Sequence, residues 1–483
     1  MCVWYQYRYN ICMCAKDASV VQKMKLQAKK MHIFYDFRIQ VSKVYRYQNF
    51  ISFRNLQNFT NNTRTFLSPH YRTAEFFNTI MLLLVFYFVF VIASTVTAAA
   101  GPHHSGETRS AKAYLQLINV TKYPNARCLD GSPGAFYTNL NTDEPSSWVF
   151  MLQGGGECIA KSDCKARSTT ALGSSKKMKE NYYFNYGIQD TGARNPHFNN
   201  ASYVMISYCT GDLHMGSVTK PDSTTFDLHF SGSYIVEAVM DTLMTSQTYR
   251  LIEASTIVMA GSSAGGLGIV SLLDRVANQL RESGSNADIV GAPEGGFYFF
   301  NDNTYHGTNP PPGHFIPWGT DSFPLYYKLW HARVNDGCAA HYIDTPWRCL
   351  VANYSFPFIQ TRIFFTEALT DRVVTRLHSG VPDQGPPFTR DEENFLHQWA
   401  STMKSSLQQV VRSSTAGVFA PACWTHTTFD SIWDNQTWTG IMLNGKPRLE
   451  YLKNWINGGN DNKIIDSCGL VLCNPTCPIF HKK

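Results

Sequence analysis

The stretch ASTIVMAGSSAGGLGIVSLLDRVANQLRESG, residues 254–284, constrains this 483-residue chain more than any other. A short apolar run ends at Gly261. The pattern then switches to helical spacing, with Ile269, Leu272, Leu273, Val276 and Leu280 on one face, and stops at Gly284. A strand that turns at once into a helix needs a sheet on one side and helices to cover it. The same strand-like signal recurs in SWVFMLQGGG (147–156), ASYVMISYC (201–209), TRIFFTEALTD (361–371) and AGVFAPACWTH (416–426). A second helix is predicted in SGSYIVEAVMDTLMTS (231–246), from Ile235, Val236, Val239, Met240 and Leu243. Strands alternating with helices predict an α/β fold with a mostly parallel central sheet and helices on both faces. The Pro- and aromatic-rich stretch from Tyr305 to Trp347 lacks periodicity and reads as an irregular cap or lid insertion.

The turn itself carries chemistry. A sharp strand-to-helix bend needs small residues two positions either side of its central residue. Ser263 has Gly261 and Gly265 there, and Ser262 has Ala260 and Ala264, so only Ser263 fits G-x-S-x-G. A phosphate-binding loop is the other glycine-rich option, but no G-K-[ST] follows. A serine hydroxyl needs a base to take its proton and an acid to orient that base. In α/β-hydrolases the chain order is Ser, acid, His. Asp371 is the preferred acid because it lies past the end of a strand, where it would also cap a helix over RVVTRL; Glu367 and Asp430 are the spares. The downstream histidines are His378, His397 and His426. His397 sits in a charged helical segment and reads as a surface residue. His426 follows a short strand and Cys423, and the residues alone do not decide between it and the others. Backbone N–H groups of Gly155, Gly156 and Ala264 are the candidates for holding an oxyanion.

Residues 80–100 bound the organisation. Ile80 to Ala93 is an unbroken apolar run, followed by Ala98-Ala99-Ala100, the h-region and A-x-A pattern of a secretory signal cleaved before Gly101. A signal anchor is the competing reading. Residues 1–79 then form an N-terminal extension, disordered or the product of a misplaced start with Met81 the initiator, and 101–483 form one catalytic domain. Residues 1–100 hold 12 Lys+Arg against three acidic residues, so the rest carries 30 against 33 and gives no support to nucleic-acid binding. Ten cysteines follow the signal: Cys128, Cys158, Cys164, Cys209, Cys338, Cys349, Cys423, Cys468, Cys473 and Cys477. An even number in an exported chain predicts disulfides. The C-x4-C-x3-C spacing of the tail fits no common zinc pattern, so no metal is expected. Sequons at Asn119, Asn200, Asn353 and Asn435 fit a secreted glycoprotein.

The segments LDGSPGAFY, LQGGGECIAKSDC, NPHFNNASYVMISYCTGD, GSSAGGLGIVSLLDRVANQL, FAPACWTH and IIDSCGLVLCNPTCP, in this order, resemble the pectin acetylesterase/Notum family of secreted carboxylesterases. The resemblance covers Leu115 to Pro478. It implies an α/β-hydrolase fold, a triad of Ser263, Asp371 and His426, an oxyanion hole from Gly155, Gly156 and Ala264, and no cofactor. It also implies that Cys158 pairs with Cys164 and Cys128 with Cys209. The substrate it implies is an acylated protein of the Wnt type, losing palmitoleate so that its signal is silenced. The alternatives are an acetylated polysaccharide substrate and a catalytically inactive secreted binding protein. Monomeric behaviour and a cell-surface glycosaminoglycan contact complete the expected partners. In one place the chain departs from the Notum branch: the bulky aromatics that follow the glycine pair there give way to Gly156-Glu157 here, and the resulting triple glycine resembles the acetylesterase branch. That leaves acyl-chain length open.

Overall fold

A computed structural model describes residues 2–7, 9–14, 111–141, 146–307, 315–382, 385–427, 440–468 and 471–478. The chain divides into two units, residues 1–104 and 105–483. In the first, Cys2–Tyr7 and Tyr9–Cys14 pair antiparallel. The expected signal at 80–100, the boundary at Gly101, Asp430 and Asn435 lie outside the described residues.

The second unit is built on a nine-stranded sheet. Its strands are β1 (Gln116–Leu117), β2 (Ala135–Asn139), β3 (Ser147–Leu152), β4 (Ser202–Ile206), β5 (Thr256–Ser262), β6 (Asp288–Glu294), β7 (Arg362–Thr366), β8 (Ala416–Ala420) and β9 (Lys463–Ile465). The spatial order is β1-β2-β4-β3-β5-β6-β7-β8-β9. All neighbours pair in parallel except β1 with β2 and β2 with β4. This is the α/β-hydrolase arrangement.

Alternation along each strand sends side chains to two cores. Trp148, Phe150, Leu152, Ile257 and Met259 enter one core, and Val149, Met151, Val258 and Ala260 the other. Burying one such large apolar side chain contributes about 1.5–3 kcal/mol. Helices α2 (Gly232–Thr245), α3 (Ala264–Glu282) and α7 (Arg390–Arg412) cover the first face, and α8 (Arg448–Ile456) the second. Among the described residues the other helices include α1 (Lys161–Arg167), α4 (Phe323–Trp330), α5 (Asp336–His341) and α6 (Arg372–Leu377), with a single turn at Ala352–Ser355.

Strand β6 escapes the sequence pattern because Pro293 stands inside it. Proline has no N–H for a ladder. The sheet accommodates it by breaking the β6–β7 pairing at Ala292 and Pro293, while pairing to β5 continues through Glu294. Between Tyr305 and Trp347 the described residues, 305–307 and 315–347, carry regular structure that the composition does not suggest. They include α4 and α5, too short for periodicity to reveal, and bury Ile316, Trp318, Phe323 and Trp330 in the main core.

Candidate active site

Strand β5 ends at Ser262 and α3 begins at Ala264, leaving Ser263 at the bend with φ 55° and ψ −120°. A residue with a Cβ visits such a conformation at a cost of about 1–3 kcal/mol, so the surroundings must impose it. They do so at both ends. The Ser263 N–H donates to Glu294 O at 2.8 Å, and Leu267 N donates to Ser263 O at 3.1 Å. The Glu294 side chain is itself fixed by a buried ion pair with Arg448. The glycine requirement is steric: a Cβ on Gly265 would stand 1.9 Å from Leu152 O, and one on Gly261 2.3 Å from Gly265 O. Ser262 is fully buried, whereas Ser263 lines a cavity of about 370 Å³.

Asp371 faces two ways. It is the N-cap of α6, where Oδ1 accepts from Val373 N at 2.9 Å and Val374 N at 3.0 Å. Its Oδ2 meets His426 Nδ1 at 2.7 Å and accepts from Tyr298 OH at 3.0 Å. Four contacts on a fully buried carboxylate leave it one orientation. His426 shares the cavity wall with Ser263. The loop before it is anchored by the Cys423–Cys477 disulfide and by Arg372 N donating to Thr425 O at 3.0 Å. Tyr298 gave no signal in the sequence. Burial, with the Asp371 charge beside it, pushes its phenol well above the usual range, so it stays a hydrogen-bond donor.

The other candidates make different contacts. His378 lines the cavity, but its Nδ1 lies 2.9 Å from Ile316 O rather than on an acid. Burial lowers its pKa against the pull of Glu157. His397 lies on α7, partly exposed, and does not line the cavity. Glu367 is buried, with Oε2 accepting from Phe297 N at 2.9 Å and Oε1 without a partner among the described residues. Burial first, then the Asp371 charge, raises its pKa well above 4.5, so it is a neutral acid unsuited to steadying an imidazolium. The unfolded chain ionises this group near its ordinary pKa while the folded chain keeps the proton, so stability is lost as pH rises above about 4.5. Glu367→Gln is expected to melt with wild type at pH 4 and above it at pH 8, with activity retained. Melting curves at the two pH values check this; a variant less stable at pH 8 would assign the carboxyl another role.

Gly155 and Gly156 line the same cavity as Ala264. Their φ values are +146° and +65°, a backbone that side-chain-bearing residues rarely adopt. Among the described residues, the N–H groups of Gly155, Gly156 and Ala264 meet no acceptor. Three unspent donors beside a serine are suited to an oxyanion. Much of the remaining wall is apolar, including Leu213, Leu267, Ile316, Val373 and Leu377, with Glu157, Arg167, His378 and Thr427 as its polar members. Glu157, 5% exposed, accepts from Trp318 Nε1 at 2.8 Å, and its Oε1 lies 3.9 Å from His378 Nε2. The Trp318 and His378 rings stack at 3.9 Å. Sequence reasoning noticed Glu157 only as an anomaly; its partner lies 161 residues away.

The ten cysteines form Cys128–Cys209, Cys158–Cys164, Cys338–Cys349, Cys423–Cys477 and Cys468–Cys473. Asn119 and Asn200 are exposed, while Asn353 is half-buried and accepts from Gln409 Nε2 at 2.9 Å. Among the described residues no cluster of His, Cys, Asp or Glu is placed to hold a metal, and no helix is long and apolar enough to cross a membrane.

The family model described as "PAE: Pectinacetylesterase" matches residues 107–478. Palmitoleoyl-protein carboxylesterase notum1a of Danio rerio is 28% identical over 393 residues, 76% of this chain and 73% of that protein. Palmitoleoyl-protein carboxylesterase NOTUM of Mus musculus is 26% identical over 371 residues, 73% and 70%. Among solved structures, the Wnt deacylase Notum from Drosophila aligns with a TM-score of 0.66 at 25% identity, covering 77% of this chain and 100% of the other.

Proposed function

The chain belongs to the pectinacetylesterase family, and on that footing we propose that it is a serine carboxylesterase removing an O-linked acyl group from an acylated protein. The substrate class follows its relatives, whose names specify palmitoleoyl-protein carboxylesterases and a Wnt deacylase: palmitoleate on a Wnt-type protein, with loss of the lipid damping the signal. The observation that carries the reading is the buried Asp371 carboxylate gripping His426 at 2.7 Å on the wall of the cavity that Ser263 enters.

In this mechanism Ser263 Oγ attacks the ester carbonyl while His426 takes its proton. Asp371 holds the imidazole with Nδ1–H donating, which leaves Nε2 as the base, and stabilises the imidazolium that forms. The N–H groups of Gly155, Gly156 and Ala264 hold the oxyanion. The protonated His426 then returns its proton to the departing alcohol, and a water activated by the same ring releases the acid. No step calls on a cofactor.

Five disulfides and exposed sequons suit an exported enzyme. Secretion after cleavage before Gly101, a monomer, and retention near cells by glycosaminoglycan belong to the same reading. The test is incubation with a palmitoleoylated Wnt-type protein, followed by intact mass. Wild type is expected to remove the acyl mass and Ser263→Ala to leave it. Release of acetate from acetylated pectin, with the lipidated protein untouched, would replace this substrate with the polysaccharide.

Glu157 gives a handle on chain length. Glu157→Leu makes that wall more apolar, and the ratio of kcat/KM for octanoyl over acetyl p-nitrophenyl esters is expected to rise about tenfold, the scale on which apolar pockets discriminate. An unchanged ratio would remove Glu157 from the acyl wall.

A further inference from the structure

The turn that offers Gly155 and Gly156 is built from residues with more backbone freedom than any others, so its side chains cannot hold it in place. A guanidinium does. Arg167 Nη2 donates to Gly155 O at 2.6 Å and reaches Glu157 O at 3.4 Å, gripping the carbonyls on either side of Gly156. The Gly155 carbonyl and the Gly156 N–H belong to one planar trans peptide and point opposite ways. Fixing the first toward Arg167 fixes the second away from it. Beyond the turn, Cys158 N donates to Gly211 O at 3.0 Å.

The clamp is itself anchored. Arg167 ends α1, and the Cys158–Cys164 disulfide ties that helix to the turn it grips. The guanidinium lies 5.8 Å from the centroid of the buried Tyr208 ring. Arg167 also lines the cavity, and its Nη1 is buried with no partner among the described residues. An unmet buried donor on a cation is costly and calls for a function.

We propose that Arg167 is a positioning residue for the oxyanion hole: it locks the Gly155–Gly156 peptide and, by charging the carbonyl end, strengthens the Gly156 N–H as a donor. A cation on the acceptor side polarises an amide, and hydrogen bonds in series reinforce one another. Its charge adds a fixed positive field where negative charge develops. The inference rests on the esterase reading above and deepens it.

The test compares Arg167→Met and Arg167→Lys with wild type in ester hydrolysis and in binding of a trifluoromethyl ketone, whose adduct with serine carries the oxyanion. Arg167→Met is expected to lower kcat by about 30–100-fold with KM within about twofold, near the loss of one oxyanion donor. Ketone affinity should fall by the same factor, with affinity for the uncharged fatty alcohol of the same chain length unchanged. Arg167→Lys should recover part of both, since an ammonium can still reach one carbonyl. If the Met variant does not fold, the Lys variant alone must show matched losses of about three- to tenfold in kcat and ketone affinity. Unchanged kcat, or a kcat loss without a matching loss of ketone affinity, overturns the proposal. Ser263→Ala in the same assay separates the two claims. If it retains turnover, the esterase reading fails; if it is inactive while Arg167→Met is unaltered, only the clamp fails.

Discussion

Replacing Ser263 with alanine is expected to lower kcat/KM for a p-nitrophenyl ester by roughly a millionfold, the scale seen when a serine hydrolase loses its nucleophile. The substitution removes one oxygen and nothing else. Alanine meets the same strain at φ 55°, and the Ser263 N–H to Glu294 O bond is a backbone contact the change leaves alone. The melting temperature should therefore stay near wild type. Ser262→Ala is the control: that side chain is fully buried and lies outside the cavity lining, so turnover should persist. Loss of turnover in Ser262→Ala with retention in Ser263→Ala would reverse the assignment.

Asp371→Asn comes next in size and separates two functions of one side chain. Asparagine caps a helix about as well as aspartate, so Val373 and Val374 keep their acceptor and the fold is expected to survive. What changes is the face toward His426. An amide NH2 opposite Nδ1 favours the tautomer with Nδ1 bare, which puts the proton on Nε2 and abolishes the base. The expected loss in kcat is about 10⁴-fold with little change in melting. Asp371→Ala should be equally inactive and also lose about 1 kcal/mol of capping. Kinetics beside thermal melts check both variants. An Asp371→Asn enzyme with near-normal kcat would reduce Asp371 to a structural cap.

Ser263 was legible because its requirement is local: the two glycines that let the bend close stand two residues to either side. Asp371 was legible for a similar reason, since a strand end and a helix start bracket it. The mostly parallel character of the sheet followed from strands alternating with helices; its spatial order did not. Strand β6 was not legible, because Pro293 masks it and only the interrupted ladder shows how it is tolerated. His426 could not be separated from His378 by the residues, because its contact with Asp371 spans 55 positions of the chain. Tyr298, Trp318 and Arg167 were silent for the same reason. Their contacts are a hydrogen bond to a distant side chain or, for Arg167, to two backbone carbonyls, and no spacing in the chain encodes that. Glu157 was visible as a departure, but its burial against Trp318 and His378 depends on the packed stretch around α4.

Covalent trapping tests the central claim most directly. The folded protein is treated with a fluorophosphonate and digested, and the adduct is located by peptide mass spectrometry. The expected result is a single stoichiometric adduct on Ser263 that is absent in His426→Ala. A label on another residue, or an active enzyme that the reagent leaves unmodified, would contradict it.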